Sequence, residues 1–187
     1  MTDNAARPRL IIEFETERLR MRQWRESDLA PFFALACDPQ VMEFLLPLAT
    51  RADSDALVER IRTRIAENSW GFWAVEHKAS GEFMGFTGLN SPLADLPFSP
   101  CVEIGWRFAR KWWGQGFASE AARGALQVGF EKLGLAEIVA FTAWNNTRSA
   151  AVMDRIGMKE DVAGAFDHPL VPDGHPLRRH RLYRIQR

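Results

Sequence analysis

Hydrophobic and polar residues change rhythm several times along this chain, and each rhythm predicts an element. From Arg18 to Trp24 apolar positions alternate with polar ones (Arg18-Leu19-Arg20-Met21-Arg22-Gln23-Trp24), the period-two signature of a half-buried strand. Ser27-Asp28 offers an N-cap, and Leu29 to Ala36 reads as a helix that tolerates Pro31 because it falls in the first turn. Asp38-Pro39 predicts a restart into a short helix through Val41, Met42, Phe44 and Leu45. Ser54 to Asn68 places Ala56, Leu57, Ile61 and Ile65 at helical spacing, the mark of an amphipathic helix. Gly71 to Glu76 and Phe83 to Leu89 read as two strands, joined by the hairpin signal Lys78-Ala79-Ser80-Gly81-Glu82. Three prolines between residues 91 and 100 predict a loop.

The second half follows a different pattern. Val102 to Phe108 is strand-like, and Phe117 to Leu133 is helical, with Ala118, Ala122, Ala125, Leu126, Phe130 and Leu133 on one face and Gly134 as the stop. Ile138 to Ala143 is a strand, followed by a helix from near Asn146-Thr147 to Gly157. Strand-like Met158 to Val162, a proline-rich loop over residues 165–177 and a last strand over 180–186 complete the chain. Strands first, then strand–helix–strand–helix, predict an α/β (mixed α+β) sheet with helices on both faces. Residues 1–8 are polar and expected to be flexible. With no linker or repeat, residues 1–187 read as a single domain.

Composition narrows the function classes. Hydrophobic residues make up 47% and charged residues 26%, the balance of an ordinary globular protein. The formal net charge is zero, so no global field recruits nucleic acid or an anionic membrane. Arg178, Arg179, Arg181, Arg184 and Arg187 cluster at the end, but their alternation with Leu182, Tyr183 and Ile185 predicts a strand with a charged face. Cys37 and Cys101 lack C-x-x-C spacing and read as reduced thiols. The N-terminus has no leader pattern and no apolar run approaches the roughly 18 residues a bilayer needs, so a cytoplasmic location without a membrane partner is expected. His168, His175 and His180 lack metal-ligand spacing, and no metal is expected. The aromatic excess, with seven tryptophans, points to a possible homodimer.

The chemistry concentrates in Lys111-Trp112-Trp113-Gly114-Gln115-Gly116-Phe117-Ala118-Ser119-Glu120. Gly114 and Gly116 stand where a strand hands over to a helix, leaving N–H groups bare at the positive end of a helix dipole. That arrangement suits a phosphate or pyrophosphate. The loop is too short for a Walker A motif, and Ser119 occupies the third glycine position of a dinucleotide fingerprint. A second motif, Asn145-Asn146-Thr147-Arg148-Ser149, follows the next strand and doubles as a helix cap.

The glycine loop resembles the acetyl-coenzyme A loop, R/Q-x-x-G-x-G/A, of the GNAT N-acetyltransferases. Its W-G-x-G-F-A-S-E form is similar to the RimJ/RimL branch, and Lys111 departs from the usual Arg or Gln. The resemblance implies the GNAT fold, with a central twisted mixed sheet of about six to seven strands, and acetyl-coenzyme A as co-substrate. It implies pyrophosphate contacts from Trp113, Gly114, Gln115, Gly116, Phe117 and Ala118, with a hydroxyl from Ser119. It also implies an oxyanion donor at the Phe108 backbone, a pantetheine contact at Asn146 and Ser149 near the sulfur. Glu103, on the strand feeding the loop, is the expected base toward an amine acceptor, which is either a protein N-terminus or a small molecule. Many members carry a tyrosine four residues after the serine, where this chain has Met153, and its single tyrosine is Tyr183. Ser149, or a water it holds, is the expected substitute acid. Trp70, Trp73, Phe98, Met42 and Phe44 are expected to line the acceptor pocket, with the 165–177 loop as its lip. The alternative is a coenzyme-binding module of the same fold without turnover.

Overall fold

Which face of the sheet each helix covers follows from the alternation of side chains along the strands. In the computed structural model, residues 10–48 and 50–187 are described, so the flexibility expected of residues 1–8 lies outside them. The strands are β1 (Phe14–Glu15), β2 (Leu19–Arg22), β3 (Phe72–His77), β4 (Phe83–Asn90), β5 (Glu103–Phe108), β6 (Glu137–Ala143), β7 (Lys159–Glu160), β8 (Phe166–Asp167) and β9 (Arg179–Gln186). The helices are α1 (Leu29–Ala36), α2 (Arg51–Asn68), α3 (Phe117–Gln127) and α4 (Thr147–Arg155).

The strands form one nine-stranded sheet in the order β1-β2-β3-β4-β5-β6-β9-β7, with β8 beside β9. β2–β6 and β9 are the longer strands, within the expected count; β1, β7 and β8 add two residues each. All described pairs are antiparallel except β5 with β6. The crossover between those two carries α3, as a parallel connection requires. Leu89 and Ile138 face the turn of helix that continues α3, where the backbone of Gly129 packs so closely that an added Cβ would come 2.6 Å from Ile138. Phe72 and Phe86 point to the opposite face, where Phe86 meets Phe32 of α1 at 6.1 Å between ring centroids.

Several expectations shift in detail. The helix ending at Leu133 is α-helical to Gln127, then takes a π-helical turn over Val128–Lys132 before Gly134, at φ +67°, stops it. α2 begins earlier than expected, because Thr50 and Asp53 form a capping box. The short helix through Val41, Met42, Phe44 and Leu45 does not form, and those residues lie in turns. Pro39 removes a donor and Pro47 closes the stretch, leaving too few residues to offset helix nucleation. The expected dimer signal weakens too: Trp24 and Trp73 are buried, and of the seven tryptophans only Trp144 is as much as half exposed.

Period two predicts Arg22 at the surface, yet it and the cap candidate Asp28 are 3% and 2% exposed. Arg22 donates to both oxygens of Asp28 at 2.7 and 2.9 Å and to Glu76 on β3 at 2.8 Å. Asp28 Oδ2 also accepts from the Arg25 N–H at 2.8 Å. The expected N-cap is therefore the carboxylate that neutralises a buried guanidinium and pins the start of α1 to the sheet. Removing one partner of a buried pair leaves the other charge unpaired, which costs more than the pair itself stabilises. Asp28→Ala should lower unfolding stability by about 3 kcal/mol, and Asp28→Asn, which keeps the shape, should cost less. Urea denaturation monitored by tryptophan fluorescence measures both.

Candidate functional site

β5 and β6 meet at a single register position, Glu103 opposite Val139, where the Val139 N–H donates to Val102 O at 2.9 Å. Beyond it β5 keeps its ladder with β4 out to Phe108, and β6 keeps its own with β9 out to Ala143. The two strands therefore part toward their carboxyl ends. The Ala109 N–H donates to Met84 O at 2.9 Å, which fixes the alternation along β5. Trp106 and Phe108 consequently turn their N–H groups away from β4 and into the gap.

The glycine loop closes one wall of that gap. Gly114 and Gly116 adopt φ of +74° and +82°, a region that disfavours side chains. Gly116 is the N-cap of α3 and supplies no side chain, so the N–H groups of Phe117, Ala118 and Ser119 open the helix uncapped. The rest of the loop is fastened from outside. The Trp113 indole donates to Phe108 O at 2.9 Å, and Gln115 Nε2 donates to Lys111 O at 3.0 Å. Arg18 reaches Gln115 O at 3.1 Å and stacks 4.2 Å over the buried Phe117 ring. Lys111 pairs with Glu82 at 2.5 Å, its side chain directed away from the loop's amides. Ser119 is buried, and its hydroxyl accepts from Arg155 Nε at 3.2 Å while keeping its own proton to donate.

Across the gap stands the first turn of α4. Asn146 caps it, its Oδ1 accepting from the Ser149 N–H at 3.2 Å. Its Nδ2 donates to Thr142 Oγ1 at 2.8 Å and to Ser149 Oγ at 3.1 Å. Both amide hydrogens are therefore engaged in the cap, while the Ser149 hydroxyl keeps its own proton to donate. Arg148 ties this turn to its surroundings, 5.0 Å over the Trp113 ring, 5.1 Å over Phe44 and 2.6 Å from Glu43. Met153 is buried and apolar. Tyr183 is also buried, its hydroxyl 3.5 Å from Glu160.

Glu103 lies where the gap opens, on the face covered by α1 and α2. It accepts from Asn90 Nδ2 at 2.7 Å, and Asn90 in turn receives Arg64 at 2.5 Å. Burial pushes its carboxyl up to about 7, against the smaller opposing effects of the Asn90 hydrogen bond and the Arg64 charge. Arg107 stands on the same face, with Gly105 between them. Next to β5, Phe141 shares this face with Phe98 and Phe166. His168 and His180 join them, with ring centroids 4.9 Å apart. Burial, and secondarily the neighbouring His180, lowers His168 to about 4, so it is neutral at physiological pH.

Trp73 does not line this cleft. It is fully buried on the α3 face and donates to Ile12 O at 2.6 Å, so the alternation assigns the cleft to Phe72 instead. Nothing in the sequence marks Asn90, Arg64 or Arg107, which depend on strand register and helix placement. Arg123 and Arg155 come together through tertiary packing, Arg123 donating to Arg155 O at 2.7 Å. They line a cavity of about 760 Å³ that runs along α3 from Gly116 and Ser119. Among the described residues no three metal-ligating side chains gather, and no helix is long and apolar enough to cross a membrane.

Comparison with known proteins adds a lineage to this geometry. The family model described as acetyltransferase (GNAT) domain matches residues 18–159. The chain is 32% identical over 144 residues to the uncharacterized protein YkkB of Bacillus subtilis, covering 76% of this chain and 83% of that protein. It is 35% identical over 142 residues to the FsC-acetyl coenzyme A-N(2)-transacetylase of Aspergillus fumigatus, covering 72% of this chain but 60% of that protein. Among solved structures, a GNAT-family acetyltransferase from Bacillus anthracis superposes with a TM-score of 0.77 at 26% identity. That match covers 94% of this chain and 98% of the other.

A carboxyl whose pKa rises on folding binds more protons in the native state, so stability falls as pH rises from about 4.5 to about 7. Glu103→Gln abolishes that dependence. Relative to the wild type, the variant should gain on the order of 3 kcal/mol at pH 8, a gain nearly absent at pH 4.5. Melting temperatures of the two proteins across this range test the shift; parallel curves would place Glu103 in ordinary solvent.

Proposed function

The chain belongs to the GNAT acetyltransferase family, and from that premise we propose that it moves the acetyl group of acetyl-coenzyme A to a primary amine by direct attack, without a covalent enzyme intermediate. One observation carries the reading: a carboxyl tuned to about 7 stands on the strand that leads to an uncapped, glycine-lined helix start. The pyrophosphate would take the N–H groups from Gly114 to Ser119, with Arg123 and Arg155 available to further phosphate along α3. The pantetheine arm would fill the gap between β5 and β6 and occupy the backbone groups that lack a ladder partner there.

In this reading the acetyl carbonyl lies at the Phe108 N–H, a donor preorganised for the developing oxyanion. The amine approaches from the α1/α2 face, and one proton passes through intervening water to the Glu103 carboxylate further back along β5. Its lone pair forms the C–N bond, the tetrahedral intermediate collapses and the C–S bond breaks. The second amine proton passes through Ser149, or a water that Ser149 holds, to the departing thiolate, so the hydroxyl ends as it began. A thiol pKa of about 8.5 makes the thiolate a fair leaving group, so little acid assistance is needed. The loop's similarity to the RimJ/RimL branch makes a protein N-terminus one acceptor class and a small-molecule amine the other. Buried Met153 favours a second reading, a coenzyme-binding module without turnover. Release of coenzyme A thiol with any amine separates the two.

Acetyl-coenzyme A should raise the melting temperature by mass action, and Gly116→Asp, which adds a side chain and negative charge at φ +82°, should abolish the rise. A retained shift would remove the loop from the binding site. Glu103→Gln should still bind the coenzyme yet lose roughly 10²- to 10⁴-fold in turnover at pH 7. Raising the pH should recover part of that loss, since more of the amine is then neutral. Wild-type turnover at pH 7 would reduce Glu103 to a structural residue. Tyr183→Phe should leave turnover nearly unchanged; a 100-fold loss, about 2.7 kcal/mol of transition-state stabilisation, would assign the leaving-group chemistry to β9.

A further inference from the structure

Arg107 is a cation without an anion. It occupies the middle of the sheet on the acceptor face of β5, and burial lowers its pKa to about 10, leaving it charged at neutral pH. Its Nη1 is buried and has no hydrogen-bond partner. Among the described residues no carboxylate lies within ion-pairing distance, whereas the other buried arginine of the sheet, Arg22, is paired with two. The faces of Phe86 and Phe32, at 5.4 and 5.9 Å from its guanidinium carbon, offer only a cation–π contact.

The surroundings complete a pattern. Glu103, Gly105 and Arg107 are all partly exposed although β5 is central in the sheet, so the face they share opens to solvent. Between the two charges the Phe72 ring lies against Gly105, where an added Cβ would meet it at 3.1 Å. A carboxylate, an apolar ring and an unpaired guanidinium thus follow one another along the strand. The two charges stand four residues apart, about 13 Å along the strand, so a small ligand can reach Arg107 and the seam beside Phe108 but not both charges.

We propose that the acceptor is a small amino acid, its carboxylate received by Arg107 and its amino group held at the seam beside the neighbouring Phe108 N–H. The inference rests on the acetyltransferase reading and names the substrate class of that same site. A planar guanidinium matches a carboxylate in two-point geometry, and a bound carboxylate would meet the donor that no protein group satisfies. The same charge repels polyamines.

The test compares amino acids (glycine, β-alanine, 4-aminobutyrate, glutamate) with their carboxamides, their decarboxylated amines, a neutral peptide and spermidine, by thiol release from acetyl-coenzyme A. Carboxamides of α-amino acids have the less basic amines and hold more of the free base at pH 7, so a preference for the acids runs against intrinsic reactivity. The best amino acid should exceed its uncharged analogues in kcat/KM by about 10-fold or more. Arg107→Met should erase that preference by raising KM for the acid, with KM for acetyl-coenzyme A unchanged, and Arg107→Lys should restore part of it. A best acceptor that is spermidine or the neutral peptide, or a preference that survives in Arg107→Met, overturns the proposal. Should acetyl-coenzyme A bind while no amine is acetylated, the transferase reading fails by itself. The same amino acids are then added to the coenzyme complex in a melting assay. A stabilisation present in the wild type and absent in Arg107→Met upholds the Arg107 site, and no stabilisation overturns it. If Arg107→Met does not fold, Arg107→Lys is read in its place, with weakened preference expected and unchanged preference overturning.

Discussion

The parting of β5 from β6 is the constraint on which the rest of the molecule depends. A sheet normally pairs every backbone N–H and C=O of its interior strands, because an unpaired buried group is costly. Here the one parallel pair is joined at Glu103–Val139 and then abandoned, so Trp106 and Phe108 direct donors into an open seam. A sheet with such a seam needs support on both sides. The antiparallel ladders of β4 with β5 and of β6 with β9 supply it, the latter running continuously from Glu137 to Ala143. The glycine loop and the first turn of α4 close the seam's two lips, and Arg148 spans them through Trp113 and Glu43.

Burial then sets the chemistry of what the seam exposes. Glu103 and Arg107 share one face of one strand and are each shielded from bulk water. The carboxyl gains a partial partner in Asn90 and rises to about 7; the guanidinium has no partner and falls to about 10. In both cases desolvation is the largest influence, disfavouring the charged form. A fully solvated glutamate would be too weak a base to receive an ammonium proton efficiently near neutrality. Arg107 keeps a buried Nη1 without a protein partner, a donor that a carboxylate entering the cleft would meet.

Elsewhere the charges are structural. Arg22, Asp28 and Glu76 weld α1 to the first strands, and Arg20 and Arg25 join Glu76 at the rim. The C-terminal arginines that resemble a basic patch are likewise occupied, Arg181 by Glu160 and Arg184 by Glu137 and Asp161. Zero net charge conceals this sorting: most of the described arginines are ion-paired locally, whereas Arg107 keeps a buried Nη1 without a partner.

The sequence by itself determined what depends on neighbours along the chain. Periodicity located the longer strands and helices, since a side chain's burial within one element follows its own period. Gly114, Gly116, Gly134 and the Asn146 cap could be read because backbone conformation at a turn or helix end is a local property. Where local signals were too short, as in the turns between Asp38 and Pro47, a helix was expected that could not nucleate. Tertiary structure alone decided which residues face one another. It turned Asp28 from a cap into a buried counter-ion, gave Ser119 to Arg155, and moved Trp73 to the far side of the sheet from the cleft. It also set Asn90 beside Glu103 and left Arg107 without a partner. The physical reason is that pKa, pairing and access depend on strand register and on the distance to residues remote in the chain, neither of which any periodicity encodes.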